Sequence, residues 1–381
     1  MAISLLILLG TYFKFQFHTE KQGFSLFKRT RPAEVTAHRS LALAQKINLP
    51  EVKRSYGLMQ GLSSAWKLTK IDLRYILTGG PFIVITTIGL LFLVLMVVTA
   101  SQFMETPTLP TTKQMLLIPG TIFSIFITFI TLIYGGLIIN RKFDYTVFPF
   151  PDTTARTTWS FVLSKVISLT LMQMILLSII MIAGVGFQLF DGYTNLEIGL
   201  YLKDLYLVKL PTFLPWTLLV VFVYTLIPNF YLGLITILAL YVGINFLGRI
   251  GIEQSIFKFN RGGRVMYSDI DGYGTGINSY YAYRAYWIFF GMVLLALASM
   301  IWRRGTSVPF LSKLKSFAKG FNIKNGAFLL VSMIGFLGIG GWIYHQNNIL
   351  NEYVSSKERE KRTAQYEKTY KRYEDKAQPR L

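Results

Sequence analysis

Side chains that commonly carry catalytic chemistry are sparse in this sequence. Its three histidines, His18, His38 and His345, are far apart and lack the spacing of metal ligands. The sequence contains no His-Glu-x-x-His motif, so it has no zinc peptidase centre of that type. It also contains no cysteine, which excludes disulfides, thiolate metal sites and a cysteine nucleophile. We therefore expect no catalytic, cofactor-binding or metal site, and we do not expect an enzyme.

Motifs for nucleotide and nucleic-acid binding are missing too. There is no Gly-x-x-x-x-Gly-Lys-Ser/Thr loop, so the chain does not hydrolyse nucleotide by that route. The glycine-rich segment 272–276 does not follow a buried strand, and a flexible loop explains it. A net charge of +20 could suggest nucleic acid, but no basic and aromatic module stands out. Basic residues that flank membrane spans account for the charge, so no nucleic-acid partner is expected.

Long uncharged runs dominate the rest of the chain. Of the 381 residues, 52% are hydrophobic and 15% charged, and the mean hydropathy is +0.44. A helix needs roughly 20 apolar residues to cross the hydrocarbon core of a bilayer. The run between Lys209 and Arg249 is long enough for two helices, with Pro228-Asn229-Phe230 as the turn. We predict spans at about 79–101, 117–140, 160–187, 212–227, 231–248, 285–302 and 326–344.

The pattern therefore predicts an all-α polytopic membrane protein with seven complete transmembrane helices plus a short N-terminal hydrophobic segment. Within its cytoplasmic connector, Trp66–Leu77 reads as an amphipathic helix at the membrane face. The predicted parts are a partial or short membrane helix at 1–17, the connector at 18–78, a seven-helix transmembrane domain at 79–344, and a charged helical extracytoplasmic tail or linker at 345–381.

Basic residues indicate the orientation of the spans. With 14–80 in the cytoplasm, the inside segments carry 22 Lys and Arg and the outside loops carry 8. The loop 249–284 then lies outside. Its five tyrosines have two interpretations, an aromatic belt at headgroup depth or direct contact with a substrate: Tyr267, Tyr273, Tyr280, Tyr281 and Tyr283.

The predicted spans contain no Asp, Glu, Lys or Arg away from their ends. Ion-coupled and proton-coupled transporters usually keep ionisable groups at depth, although Na⁺ coupling through backbone oxygens alone stays open. A gradient-driven transporter is therefore disfavoured. If the chain moves a substrate, we expect the energy to enter through a partner.

Several short segments resemble the type-2 ABC exporter permeases (ABC-2 superfamily), specifically the long Bacteroidota-type permeases that continue into an aminopeptidase N-like domain. Residues 228–234 stand where that family often has an Asn-Lys-Tyr-x-Gly-His turn, with Phe230 and Leu234 replacing Lys and His. The other matching segments are Asn140-Arg141-Lys142-Phe143-Asp144 with Phe148-Pro149, Gln188–Tyr201, Tyr267–Gly274 with Trp302-Arg303-Arg304-Gly305, and Ala364–Glu374 with Gln378-Pro379.

This resemblance implies a permease component of an ABC transporter in the bacterial cytoplasmic (inner) membrane, moving an unidentified substrate. The implied partners are membrane lipid, a separate ABC ATPase subunit and a second half-permease. The chain would be a fragment covering one half-permease, with Met1–Phe17 as the end of a preceding helix and Leu381 at the entry to the peptidase part. The residues expected to contact the ATPase are Arg141, Lys142, Phe143, Asp144, Pro149 and Asp152, in a loop that could also be an ordinary connector.

A hypothesis from another class stays open. The chain could be a membrane anchor and scaffold that tethers an extracytoplasmic peptidase-like domain without transporting anything. Stimulation of an ATPase by the chain in vesicles distinguishes the two.

Overall fold

A computed structural model describes residues 57–102, 109–144, 157–263, 265–302, 322–351 and 353–373. These ranges are largely helical, and the only β-pairing in them is one bridge between Ser268 and Gly272. The helices are α1 Leu58–Leu77, α2 Gly80–Gln102, α3 Thr112–Asp144, α4 Thr158–Phe190, α5 Ile198–Leu226, α6 Phe230–Phe246, α7 Gly276–Ile301, α8 Ile323–Leu350 and α9 Ser356–Tyr370. Two of them contain wider π-helical turns, Lys203–Lys209 in α5 and His345–Leu350 in α8.

Helices α3 to α8 each contain a stretch long and apolar enough to cross a membrane. Helices α1 and α2 pass the same test together but are bent by 62° at their junction, so the described part holds six to seven candidate spans. This result confirms the predicted all-α polytopic membrane fold. The connections alternate between two faces of the bundle. We call the one with residues 109–111, 191–197, 247–275 and 351–373 the tail face, and the one with α1 and 227–229 the elbow face.

The bundle is centred on α5, which packs against α3, α4, α6 and α7. Small residues allow this close approach: a Cβ added at Gly135 would lie 2.2 Å from Val220, and one at Gly136 2.6 Å from Tyr224. One polar side chain ties three helices at the centre. The Gln173 amide nitrogen donates to the hydroxyls of Thr131, at 2.9 Å, and Thr217, at 2.8 Å.

The amphipathic helix predicted at Trp66–Leu77 is present and begins earlier, at Leu58. Its buried residues recur every three or four positions and form one face, which packs on α4: Gly61, Ala65, Thr69, Asp72 and Ile76. The basic residues Lys67, Lys70 and Arg74 are exposed on the other side. Helical periodicity therefore separates an α4-binding face from a basic face.

Several helix boundaries differ from the predictions, and three of the differences involve charged residues. Helix α5 begins at Ile198 rather than 212, and α7 at Gly276 rather than 285, so Asp204, Lys209 and Arg284 lie inside span helices near their tail-face ends. The uncharged runs stop at a charge, whereas a helix continues through charges that find partners in the protein. At the elbow face, α3 extends through Asp144. Arg141 to Asp144 thus form its last turn instead of opening a loop.

Candidate functional site

A cavity of about 1200 Å³ lies at the tail face of the bundle. Its walls come from α3, α5, α6 and α7, from the segment 253–266, and from Arg359 of the tail helix α9. Ligand cavities in proteins usually measure about 300–1,000 Å³, so this space is large enough for a sizeable organic molecule.

One wall of the cavity is aromatic. The ring of Trp216 on α5 lies 5.3 Å from that of Tyr241 on α6 and 5.0 Å from that of Phe259, measured between centroids. Phe259 packs in turn on Trp287 of α7 at 5.2 Å. Three helices and the 253–266 segment thus meet in one apolar surface.

The rest of the lining is rich in charge: among the described residues, five basic and two acidic ones line the cavity. Asp204 and Lys209 form an ion pair at 2.9 Å within the π-helical turn of α5, where residues five apart fall on one side. Asp204 also accepts a hydrogen bond from the Tyr273 hydroxyl at 3.0 Å. Burial, followed by the nearby Asp204 carboxylate, raises the pKa of Tyr273, so this hydroxyl stays a donor. The Asp204 charge is therefore compensated by Lys209 and Tyr273.

Arg284 is a buried cation without a carboxylate partner among the residues that the structure describes. Only 5% of its surface is exposed. Its terminal nitrogens donate to neutral acceptors, the side-chain and main-chain oxygens of Asn260 and the carbonyl of Gly262 at 2.9 Å. Within the same ranges its Nε has no partner. The guanidinium carbon lies 5.2 Å from the centroid of the Tyr280 ring, in the range of a cation–π contact. No carboxylate among the described residues neutralises this charge at the cavity.

An unusual backbone brings those acceptors to Arg284. Asn260 (φ 55°), Gly262 (φ 106°) and Gly263 (φ 58°) all adopt left-handed conformations. A Cβ at Gly262 would lie 2.3 Å from the Tyr283 ring. Glycine is therefore required there, both by the conformation and by the close approach to α7.

The tail is fastened to the same region. The Glu253 carboxylate accepts hydrogen bonds from the Ser356 amide at 2.7 Å and from the Tyr353 hydroxyl at 3.3 Å. These bonds, led by the one from the Ser356 amide, lower the pKa of Glu253. Asn347 donates to the Tyr283 hydroxyl at 2.6 Å. The start of α9 is thereby held beside the cavity.

Most tyrosines of the 249–284 segment are packed within the protein. Tyr273, Tyr280 and Tyr283 are buried in protein, and the Tyr280 hydroxyl donates to the carbonyl of Val208. Tyr267 is half-buried, and Tyr281 is 38% exposed. Tyr280 also lines the cavity, so it is available to a ligand there.

The sequence-predicted ATPase contacts lie elsewhere. Arg141, Lys142, Phe143 and Asp144 form the end of α3 at the elbow face, whereas Pro149 and Asp152 lie outside the described residues. Sequence reasoning did not single out Arg284, although it is the only basic residue in the tyrosine-rich stretch from Tyr280 to Trp287.

At the elbow face, sequence reasoning also missed a buried ion pair. Lys165 of α4 lies 2.7 Å from Asp72 of α1, with 13% and 7% of the side chains exposed. The available signal was an aspartate on the apolar face of an amphipathic helix. This pair fixes α1 to α4 at the elbow face, the same face of the bundle as the predicted ATPase contacts at the end of α3.

Chemically, the cavity is suited to non-covalent binding. In the ranges that the structure covers, no three His, Asp or Glu side chains group as metal ligands.

No protein-family model matches the sequence, and no curated protein or solved structure matches it either.

Proposed function

We propose that this multi-pass membrane protein is the permease component of an ABC-type transporter of the bacterial cytoplasmic membrane, powered by a separate ATPase subunit. The observation that carries the proposal is the cavity of about 1200 Å³ among the ends of four candidate spans. A membrane anchor needs no such space, whereas a transporter must hold its substrate between its helices. The resemblance of the sequence to ABC-2 permeases supports the same function.

The distribution of charge supports an external source of energy. Among the charged groups within the candidate spans, Asp204, Lys209 and Arg284 lie near the tail-face ends and Lys165 lies near the elbow-face end. Asp204 pairs with Lys209, and Lys165 pairs with Asp72 of α1. No carboxylate lies at the centre of the described spans, where a proton relay would need one. Binding and hydrolysis of ATP by a partner supply the driving force in this proposal.

A connection between the two faces already exists in α4. This helix has 33 residues and is therefore about 50 Å long. Near its start Lys165 binds Asp72 of α1, and near its end Gln188 donates to the carbonyl of Pro110 at 2.9 Å and accepts from Tyr201 at 2.9 Å. A displacement imposed by an ATPase at the elbow face can thus be transmitted to the tail face as a rigid-body movement.

The proposal assigns the ATPase contact to Arg141, Lys142, Phe143, Asp144, Pro149 and Asp152. We expect the double charge reversal Arg141→Glu and Lys142→Glu to abolish co-purification of an ATPase subunit co-expressed from a neighbouring reading frame. Stimulation of its ATP hydrolysis in proteoliposomes should be lost as well. The reason is that each reversal replaces attraction to an acidic partner surface with repulsion.

The matched control is Lys368→Glu with Lys371→Glu, which makes the same change of charge in the exposed tail. It should leave co-purification and hydrolysis as in the wild type. If the Arg141 and Lys142 variant inserts normally and still binds and stimulates the ATPase, these residues do not form the contact. If the wild-type chain stimulates no ATPase, the permease proposal itself is wrong.

One observation favours the second candidate, a scaffold for an extracytoplasmic domain. The Glu253 carboxylate fixes the start of α9 to the bundle, which would give a following domain a defined position. The cavity plays no part in that function, so filling it distinguishes the two candidates.

A further inference from the structure

The cavity has an excess of positive charge that its own acidic residues do not compensate. Asp204 is engaged by Lys209, and Glu253 is engaged by the amide of Ser356. Lys258 and Arg261 line the cavity and form no ion pair within the described ranges, and the same holds for Arg284. Charges that share a low-dielectric wall focus their field into the space between them.

Arg284 gives this field a fixed centre. The Arg284 residue is 95% buried, and its guanidinium is held by neutral oxygens of Asn260 and Gly262. Its Nε has no partner among the described residues. Removing a guanidinium from water without a counter-charge is costly, and a bound anion offsets that cost. Arginine also suits carboxylate and phosphate groups because its nitrogens form a planar fork.

The aromatic wall adds a second requirement on the ligand. Trp216, Tyr241 and Phe259 present rings to the same space, and Ile125 and Ile244 extend this apolar surface along α3 and α6. A small inorganic anion would satisfy the cations and leave this wall in contact with water. An apolar group joined to the anion covers it.

We propose that the cavity binds an anionic amphiphile, with its carboxylate or phosphate beside Arg284, Lys258 and Arg261 and its apolar part against Trp216 and Phe259. This inference rests on the proposed function, because it names the class of substrate that the permease moves. The same chemistry is offered by an acidic membrane lipid and by a soluble amphiphilic anion.

Binding is measured on the full chain, purified in a neutral detergent, with radiolabelled decyl phosphate as the probe. We expect decyl phosphate to bind at least about tenfold more tightly than either decanol or inorganic phosphate. Only decyl phosphate has both a phosphate group for the cations and an apolar chain for the aromatic wall. Substitution Arg284→Gln should weaken its binding by about tenfold or more. The matched control Arg249→Gln removes an exposed tail-face cation outside the cavity and should leave binding unchanged.

A second variant keeps the test decisive if loss of Arg284 disturbs the Asn260 turn. Lys258→Gln with Arg261→Gln leaves Arg284 and its acceptors in place and should weaken binding severalfold. The proposal is overturned if decanol binds as well as decyl phosphate, or if the folded cavity variants bind like the wild type.

Two further arms separate the sources of the ligand and the two proposals. In nanodiscs, competition by phosphatidylglycerol but not by phosphatidylcholine identifies a lipid as the occupant, and equal decyl phosphate binding in both identifies a soluble anion. Selective binding without ATPase stimulation would sink the permease proposal and leave the site standing. Stimulation without selective binding would do the reverse.

Discussion

At the scale of single residues, the tail face stabilises buried cations in two ways. Lys209 is neutralised by the Asp204 carboxylate at 2.9 Å, and its ammonium also donates to the carbonyl of Leu116 at 2.7 Å. Arg284 has only neutral oxygens around it. Hydrogen bonds from neutral groups solvate a charge without cancelling it, so of these two buried cations Arg284 is the one that retains a net attraction for an anion.

Glu253 acts on the tail in a similarly local way. Its carboxylate accepts a hydrogen bond from the backbone N–H of Ser356 in the first turn of α9, where backbone N–H groups have no helical partner. The bond favours the charged carboxylate, which is why the pKa of Glu253 is lowered.

We therefore expect docking of the tail to depend on pH at its acidic end. A lowered pKa in the folded state means that the contribution of Glu253 is complete above its ordinary pKa of about 4.3 and is lost as pH falls through the lowered value. Amide hydrogen exchange at Ser356 should be slow at neutral pH. After correction for the intrinsic rate, protection should fall on acidification below that range.

Substitution Glu253→Gln should speed exchange at Ser356 already at neutral pH, because a neutral amide oxygen is a weaker acceptor. The control Glu197→Gln alters another exposed tail-face glutamate and should leave Ser356 as in the wild type. Equal protection in Glu253→Gln and wild type at neutral pH would show that other contacts hold the tail.

At the scale of elements, the packing of α1 on α4 depends on small residues and one ion pair. Gly61 lies against the Trp159 ring, where an added Cβ would be 2.3 Å from a ring carbon. The Thr69 hydroxyl reaches the carbonyl of Ser164 at 3.4 Å, one turn before Asp72 binds Lys165. Close approach of the helices is what buries this pair.

Substitution Asp72→Asn should detach α1 from α4. It leaves the Lys165 ammonium buried without a counter-charge, which typically costs about 3 kcal/mol. Thermal unfolding in detergent should begin at a lower temperature, and a protease should cut at the exposed residues of α1. Exchange of the two charges, Asp72→Lys with Lys165→Asp, should recover part of the loss.

Lys70→Gln is the control, since it removes a charge from the exposed face of the same helix. A melting temperature for Asp72→Asn no lower than that of Lys70→Gln would mean that the ion pair does not hold α1.

At the scale of the whole molecule, the cavity and helix α1 lie at opposite ends of the bundle, and α4 extends between them. Helices α6 and α8 leave most of their apolar side chains exposed, as helices in contact with lipid do. In the proposed transporter, a second half-permease covers part of this surface.

Filling the cavity should separate transport from anchoring. Ile125 lies on α3 and lines the cavity, and Ile125→Trp adds bulk there. We expect this variant to insert normally, to bind the ATPase and to lose substrate-dependent stimulation of ATP hydrolysis, because the substrate no longer fits. Ile182→Trp, on an exposed part of α4 away from the cavity, should behave like the wild type. Full substrate-dependent stimulation in Ile125→Trp would show that the cavity is not where the transported substrate binds.

Prediction from sequence was most accurate for features that depend on residues adjacent in the chain. The candidate spans coincide with the uncharged runs, and Trp66–Leu77 lies in an amphipathic helix, because bilayer thickness and helical period act on contiguous residues. The ends of helices α5 and α7 that contain charged residues were predicted wrongly. A run of uncharged residues cannot show that Asp204 and Lys209 neutralise one another or that Asn260 reaches Arg284.

The sequence by itself determined that this chain is a bundle of membrane-crossing helices without the motifs of a P-loop or a zinc peptidase. Only the tertiary structure decided that residues from α3, α5, α6, α7 and the 253–266 segment line one cavity, and that the buried Arg284 lines it without a carboxylate partner among the described residues. The physical reason is distance along the chain. Hydrophobic length is a property of neighbouring residues, whereas the charge of a cavity is set by side chains that only folding brings together.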